Sequence, residues 1–304
     1  MAFVFFSAIL LIVLQVVISF RIKGKTVRGH DNLEQTANLN ANLVFLGSSR
    51  CWSHFDPVFF DSVFHLKCVN IGVDGHSEIS MAIIRLNDYL SRNKTPEYAI
   101  ISFDPFVNPG SQTNNRNFVH KDDFARYAFL PNKKDQPIVN YFRFSFGEKY
   151  IPLYAIFKYK MLKDCITLKN TDNYMQYGYE RHDENWDTIA SPVTDSTKKF
   201  YFDDSDIGDI SKALGTLNRL CMKNHIKLIC LQTPVYRSCY NELKFSTTRM
   251  ICESNHIPFI DVNKEEIRNN IGFFYNSNHL NTKGIATMNS LLRNDPQLNA
   301  LLKN

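Results

Sequence analysis

Five short apolar runs rich in β-branched and aromatic residues, at 43–46, 68–73, 98–103, 227–231 and 258–262, are separated by stretches with helical spacing at 78–91, 206–224, 241–255 and 282–292. Each run is short enough for a buried strand, and strands that alternate with helices predict a parallel sheet covered on both faces. The expected fold class is therefore α/β, a three-layer α/β/α sandwich around a sheet of about five strands. Residues 107–203 break the rhythm. They are dense in Phe and Tyr with scattered charges, and read as an insertion after the third strand.

In open parallel sheets the ligand crevice lies beyond the carboxyl ends of the strands. That rule directs attention to the loops at 47–50, 74–76, 104–108 and 233–236 and to the segment before the last helix. Bulk composition narrows the function classes. With 44% hydrophobic and 21% charged residues the chain has ordinary globular usage. Its net charge of +5 comes from 35 basic and 30 acidic side chains interleaved along the sequence, whereas a nucleic-acid binder gathers its basic residues on one face. No nucleic-acid partner is expected. The seven cysteines include no C-x-x-C pair, so neither a zinc ribbon nor a dithiol redox site is written here, and neither metal nor cofactor is expected.

The amino end is a separate unit. Residues 2–20 are apolar except for Ser7, Gln15 and Ser19, close to the roughly 20 residues that cross a bilayer. Residues 1–22 are expected to form a single-pass transmembrane anchor in contact with the lipid bilayer, residues 23–42 a polar linker, and residues 43–304 the α/β domain. A cleaved signal peptide fits less well, because the run exceeds the usual apolar region and no small-x-small site follows it. Arg21, Lys23, Lys25 and Arg28 follow the run, which by the positive-inside rule would keep the domain in the cytoplasm.

Three loops carry candidate chemistry. After the first strand comes Gly47-Ser48-Ser49-Arg50, where glycine permits a sharp turn and a serine hydroxyl can stand above the sheet edge. Such a sequence is also a common turn. The second strand leads into Asn70-Ile71-Gly72-Val73-Asp74-Gly75-His76, whose exposed backbone N–H groups could hold an oxyanion or simply satisfy turn geometry. Before the last helix lies Asn276-Ser277-Asn278-His279-Leu280-Asn281-Thr282-Lys283-Gly284. A serine and a histidine on neighbouring loops of one sheet edge are a candidate nucleophile and general base.

Taken in chain order, these blocks resemble the SGNH (GDSL-like) hydrolase superfamily. Gly47-Ser48-Ser49 is similar to its Gly-Asp-Ser block, Asn70 and Gly75 match the second block's spacing, and His279-Leu280-Asn281 with Gly284 is similar to the continuation seen in bacterial relatives. The resemblance implies a flavodoxin-like sheet, Ser49 as nucleophile, His279 as base with Asn276 beside it, and an oxyanion hole from Ser49, Gly75 and Asn108. Arg50, His76 and Asp104 are the expected substrate contacts. It further implies an extracytoplasmic, membrane-anchored esterase or O-acyltransferase whose partner is an acylated, in the first instance acetylated, cell-envelope or extracellular glycan. Two departures stand out. Asn276 replaces the acid three residues before the histidine, and Asp104 occupies the region where an oxyanion Asn belongs. They favour the rival reading, a catalytically impaired envelope scaffold or glycan-binding protein. The aromatics Phe118, Tyr127, Phe129, Tyr141, Phe142, Phe144, Tyr154, Tyr174, Tyr177, Tyr179 and Trp186 could stack on a sugar, but packing of the insertion's own core is the favoured expectation.

Overall fold

The computed structural model describes residues 2–23, 35–108, 121, 124–128, 132–151, 153–160, 162, 175–193 and 201–302. Its centre is a five-stranded sheet of β1 (Leu43–Leu46), β2 (Cys68–Asn70), β3 (Tyr98–Ser102), β4 (Lys227–Gln232) and β5 (Phe259–Asp261). All four pairings are parallel and the spatial order is β2-β1-β3-β4-β5. That is the flavodoxin-like order, and it is the fold expected from the sequence. The second run was expected to reach residue 73, but regular pairing stops at Asn70. Beyond it the backbone still tracks the β1 edge, with Ile71 N donating to Phe45 O and Val73 N to Gly47 O.

The period-2 alternation of the strands divides the interior in two. On one face Val44, Leu46, Val69, Ala99, Ile101, Leu228 and Cys230 pack against α4 (Ile79–Arg92), α5 (Ile207–Lys223) and α6 (Glu242–Ser254). The opposite face, led by Leu43, Phe45, Ile100, Ile229, Leu231 and Ile260, packs against α2 (Ser49–His54), α3 (Pro57–Phe64), α7 (Thr282–Asn294) and α8 (Pro296–Leu302). Every residue of β1 is fully buried, as a parallel sheet covered on both sides requires. The helices begin where side chains can cap them. Asp56 accepts from Val58 N ahead of Pro57, and Asn241 accepts from Lys244 N.

Residues 35–42 of the expected linker belong to the fold: Thr36 and Ala41 are buried, and Ala41 N donates to the Tyr89 hydroxyl at 2.8 Å. Residues 24–34 lie outside the described residues. Within the insertion, Phe124, Tyr127, Tyr141, Phe142, Phe144 and Tyr159 make a third apolar cluster. Trp186 joins the main core and Tyr179 is buried, while Tyr154 and Tyr177 face outward. Most of the described aromatics are thus core residues; Phe118, Phe129 and Tyr174 lie outside the described residues. A short hairpin, Met175–Gln176 with Tyr179–Glu180, ties the insertion to the sheet edge, where Asn70 N donates to Tyr177 O.

One described helix, α1 (Ala2–Lys23), is long and apolar enough over Ala2–Phe20 to cross a membrane, with a mean hydropathy of 2.8.

Candidate active site

The site sits at the carboxyl ends of β1 and β2. Gly47 has φ of +141°, and a Cβ there would lie 2.8 Å from the Cys51 Cβ and 3.1 Å from that of Ser102. Only glycine lets the chain leave β1 this close to α2 and β3. The turn delivers Ser49 as the first residue of α2, half-buried. Asn70 then locks that helix to the second strand. Its amide donates to Cys51 O and Phe55 O and accepts from Gly72 N.

His279 approaches from the other side. Its Nε2 is 2.8 Å from Ser49 Oγ, and its Nδ1 is 3.0 Å from Asn276 Oδ1. The tautomer follows from the surrounding donors. Asn276 Oδ1 accepts from the backbone N–H groups of Asn278 and His279, so the oxygen end of the amide faces the ring. Nδ1 must therefore carry the hydrogen, and Nε2 is left to accept from the serine hydroxyl. This is the tautomer that a general base needs.

The loop bearing His279 is held in register by the helix bearing Ser49. Arg50 Nη1 donates to Asn278 O at 2.6 Å, and Leu280 N donates to His54 Nε2 at 3.0 Å. The residues on either side of His279 are thus gripped by two side chains four apart on α2, a spacing that puts both on one helix face. Because His54 Nε2 accepts, its Nδ1–H donates to Thr233 Oγ1, which also receives Arg50 Nη2 at 2.7 Å. On the far side of the loop, Asn281 caps α7 by accepting from Lys283 N and Gly284 N and donates to Gly272 O and Phe274 O. A Cβ on Gly284 would fall 2.2 Å from Phe273 O, so α7 can pack against this loop only through glycine.

The three residues expected as substrate contacts are all buried. Arg50 is 2% exposed; its guanidinium pairs with Asp104 at 2.6 Å, bonds Thr233 O and Asn278 O, and lies over the Phe106 ring. Asp104 turns inward to that pair and also accepts from Phe106 N, so its charge is directed into the fold. His76 is 1% exposed, packed edge-on against the stacked rings of Phe124 and Phe142 with Nδ1 3.6 Å from Glu78. The insertion core covers it. Gly75 lies in an exposed turn with φ of +73°, two residues beyond the Val73 N to Gly47 O bond that draws the second loop against the first. Asn108 forms an isolated parallel bridge with Glu78. Its backbone N–H donates to Ser77 O and its carbonyl accepts from Ile79 N.

His54, Thr233 and His182 were not singled out in the sequence. The signal for His54 was its position four residues after Arg50. His182 comes from the insertion. It stacks on Tyr275 at 4.3 Å, Tyr275 stacks on His279 at 5.4 Å, and the His182 carbonyl accepts from Thr282 N and Oγ1.

The electrostatics are unusual for a serine–histidine pair. Burial, followed by the Arg50 and His182 charges, pushes the His279 imidazole down to about 3. His54 is also held well below its ordinary value, by burial first and then by Arg50, His279 and His182. Both rings stay neutral where an unfolded chain protonates them, near about 6.5. The unfolded state therefore binds more protons below that pH, and folding stability is expected to fall as pH drops from about 6.5 toward about 3. Unfolding in detergent across this window should show a shallower acid slope for His279→Gln than for the native chain. Equal slopes would mean that the ring is already charged in the fold.

No family model matches the chain. No curated protein matches it either. Solved structures do. The chain is similar to a "putative acylhydrolase" of Bacteroides fragilis NCTC 9343, at 14% identity over 90% of this chain and 96% of that one, with a TM-score of 0.41. It is also similar to a GDSL-like lipase of Bacteroides thetaiotaomicron VPI-5482, at 11% identity over 86% and 87% of the two chains, with a TM-score of 0.37. Among the described residues, no group of three or more His, Cys, Asp and Glu side chains is arranged to hold a metal ion.

Proposed function

We propose that the chain is a membrane-anchored serine esterase or acyltransferase of the SGNH type. The observation that carries this reading is the 2.8 Å contact of Ser49 Oγ with a His279 Nε2 whose tautomer leaves it a free lone pair. In the proposed reaction Ser49 Oγ attacks the acyl carbonyl carbon as Nε2 takes the hydroxyl proton. The carbonyl electrons move onto oxygen, and the oxyanion accepts hydrogen bonds from the backbone N–H groups of Ser49 and Gly75, with Asn108 as a third candidate donor. Collapse expels the alcohol, which takes the proton from His279 and leaves an acyl-serine. Water then completes hydrolysis, or a second alcohol completes transfer. Asn276 holds the ring's orientation but contributes no charge to the imidazolium.

The proposed substrate is an acyl ester, and by the resemblance an acetylated envelope or extracellular glycan reached by an extracytoplasmic domain. That acceptor rests on the resemblance alone, because most of the described insertion aromatics are packed inside. The depressed basicity of His279 favours a second reading, a scaffold or glycan-binding protein that has kept the pair but lost its turnover. A fluorophosphonate probe separates the two. The full chain in detergent is expected to be labelled at Ser49, with labelling abolished in Ser49→Ala and strongly slowed in His279→Gln. A folded chain that takes up no probe at Ser49 would leave the scaffold reading.

A further inference from the structure

The apolar run of α1 is interrupted at Gln15, a residue that is costly to bury in hydrocarbon without a partner. Gln15 is 7% exposed, and its Oε1 accepts from Leu153 N at 2.7 Å. Ile18, one turn further along, packs against the insertion's apolar cluster, as Ile156 does. Leu153 joins two one-turn helices, Phe146–Tyr150 and Tyr154–Lys158. They seat inward through Ala155 and Tyr159, and Gly147 lies close to the Tyr154 ring. Glu148 is buried within the pair and bonded to Ser145, Lys158 and Tyr159.

The outer face is unlike the rest of the domain. Phe146 is 72% exposed, Tyr150 67% and Phe157 76%, with Ile151 and Tyr154 beside them. The exposed charged side chains of the segment, Arg143, Lys158 and Lys160, are all cationic, and Lys158 is paired with Glu148 Oε1 at 2.6 Å. We infer that this helix pair is a second membrane-contacting element, which dips its aromatic face into the bilayer alongside α1 and sets its cations against anionic headgroups. The proposal rests on the reading of α1 as a transmembrane anchor.

Depth supports the assignment. From Gln15 to Phe20, the end of the apolar run, is five residues, or about 7–8 Å at 1.5 Å per residue. The Leu153 contact therefore lies about that far inside the apolar span. Amphipathic helices in the interface bury their apolar faces about 5–10 Å. Basic side chains beside the membrane add attraction to anionic lipid, and aromatic rings favour the headgroup boundary.

The test uses the full chain reconstituted in vesicles of phosphatidylcholine and phosphatidylglycerol, with and without bromine on the acyl chains. Single tryptophans are added by Phe157→Trp in the patch, Val17→Trp in α1 and Leu243→Trp at an exposed site on α6, over the background of Trp52 and Trp186. The Phe157→Trp signal is expected to be quenched about twofold or more above the Leu243→Trp signal, as Val17→Trp is. Quenching of Val17→Trp with Phe157→Trp no different from Leu243→Trp would overturn the second contact and leave the anchor standing. If Val17→Trp also escapes quenching, the anchor reading fails and this proposal fails with it.

Discussion

Replacing Asn276 with aspartate is expected to raise ester turnover by between about tenfold and about 10³-fold. Losing the equivalent carboxylate in a serine triad lowers turnover by about 10⁴, and each tenfold corresponds to about 1.4 kcal/mol of transition-state stabilisation. The gain should fall short of the full factor because burial, Arg50 and His182 still oppose a charged imidazole. The geometry is already in place. Asn276 Oδ1 lies 3.0 Å from His279 Nδ1 and accepts two backbone N–H groups, donors that favour an ionised carboxylate. The acid limb of the pH–rate profile gives an independent readout. It should lie near about 3 for the native chain and move up in Asn276→Asp, as the new negative charge stabilises the protonated ring. Combining the change with Ser49→Ala should remove the gain. An unmoved limb and unchanged turnover in a folded Asn276→Asp variant would show that the missing acid is not what limits this site.

Arg50→Leu is expected to destabilise the domain by about 3–5 kcal/mol, because breaking a buried pair from one side leaves an uncompensated charge. For a domain of this size that corresponds to a fall in Tm of roughly 6–20 °C. The change strands the Asp104 carboxylate and removes the donors that hold Asn278 O, Thr233 O and Thr233 Oγ1. Adding Asp104→Leu should recover part of the loss, since the stranded carboxylate goes with it, but the carbonyls stay unsatisfied. Arg50→Lys should rescue poorly, because a point charge cannot reproduce a fork that reaches a carboxylate and two separate loops. Thermal and denaturant unfolding in detergent measure all three. A loss below about 0.5 kcal/mol, the range of ordinary surface changes, would mean that the histidine loop is held by other contacts.

The effects differ in kind because Arg50 has two roles. It holds the histidine loop in position, yet its charge also helps to keep His279 unprotonated. A chain with this pair can present a well-ordered Ser49–His279 contact and still be a weak base catalyst. That tension is why the Asn276 and Arg50 variants should separate, one changing rate and the other changing stability.

The sequence by itself determined the sheet. Strand positions and helix spacing are local patterns, and burial of β-branched runs on both faces leaves a parallel sandwich as the economical solution. The candidate pair was also readable, since Gly47, Ser49 and His279 lie in loops that such a sheet places at one edge. Tertiary structure alone decided what the neighbouring polar residues do. Arg50 and His76 stand in the same loops as Ser49 and Gly75, and Asp104 in the loop of Asn108, and nothing local distinguishes a side chain that faces the crevice from one that turns inward. Arg50 turned inward because Asp104, Thr233 and Asn278, 54 to 228 residues away in the chain, supplied a complete set of acceptors there. His76 was enclosed because the insertion folded its aromatic core over it. The proton position on His279, by contrast, is set locally, by backbone N–H groups two and three residues beyond Asn276 that meet its one amide oxygen. Long-range satisfaction of buried polar groups has no period and no motif in the chain, and so it appears only once the elements are packed.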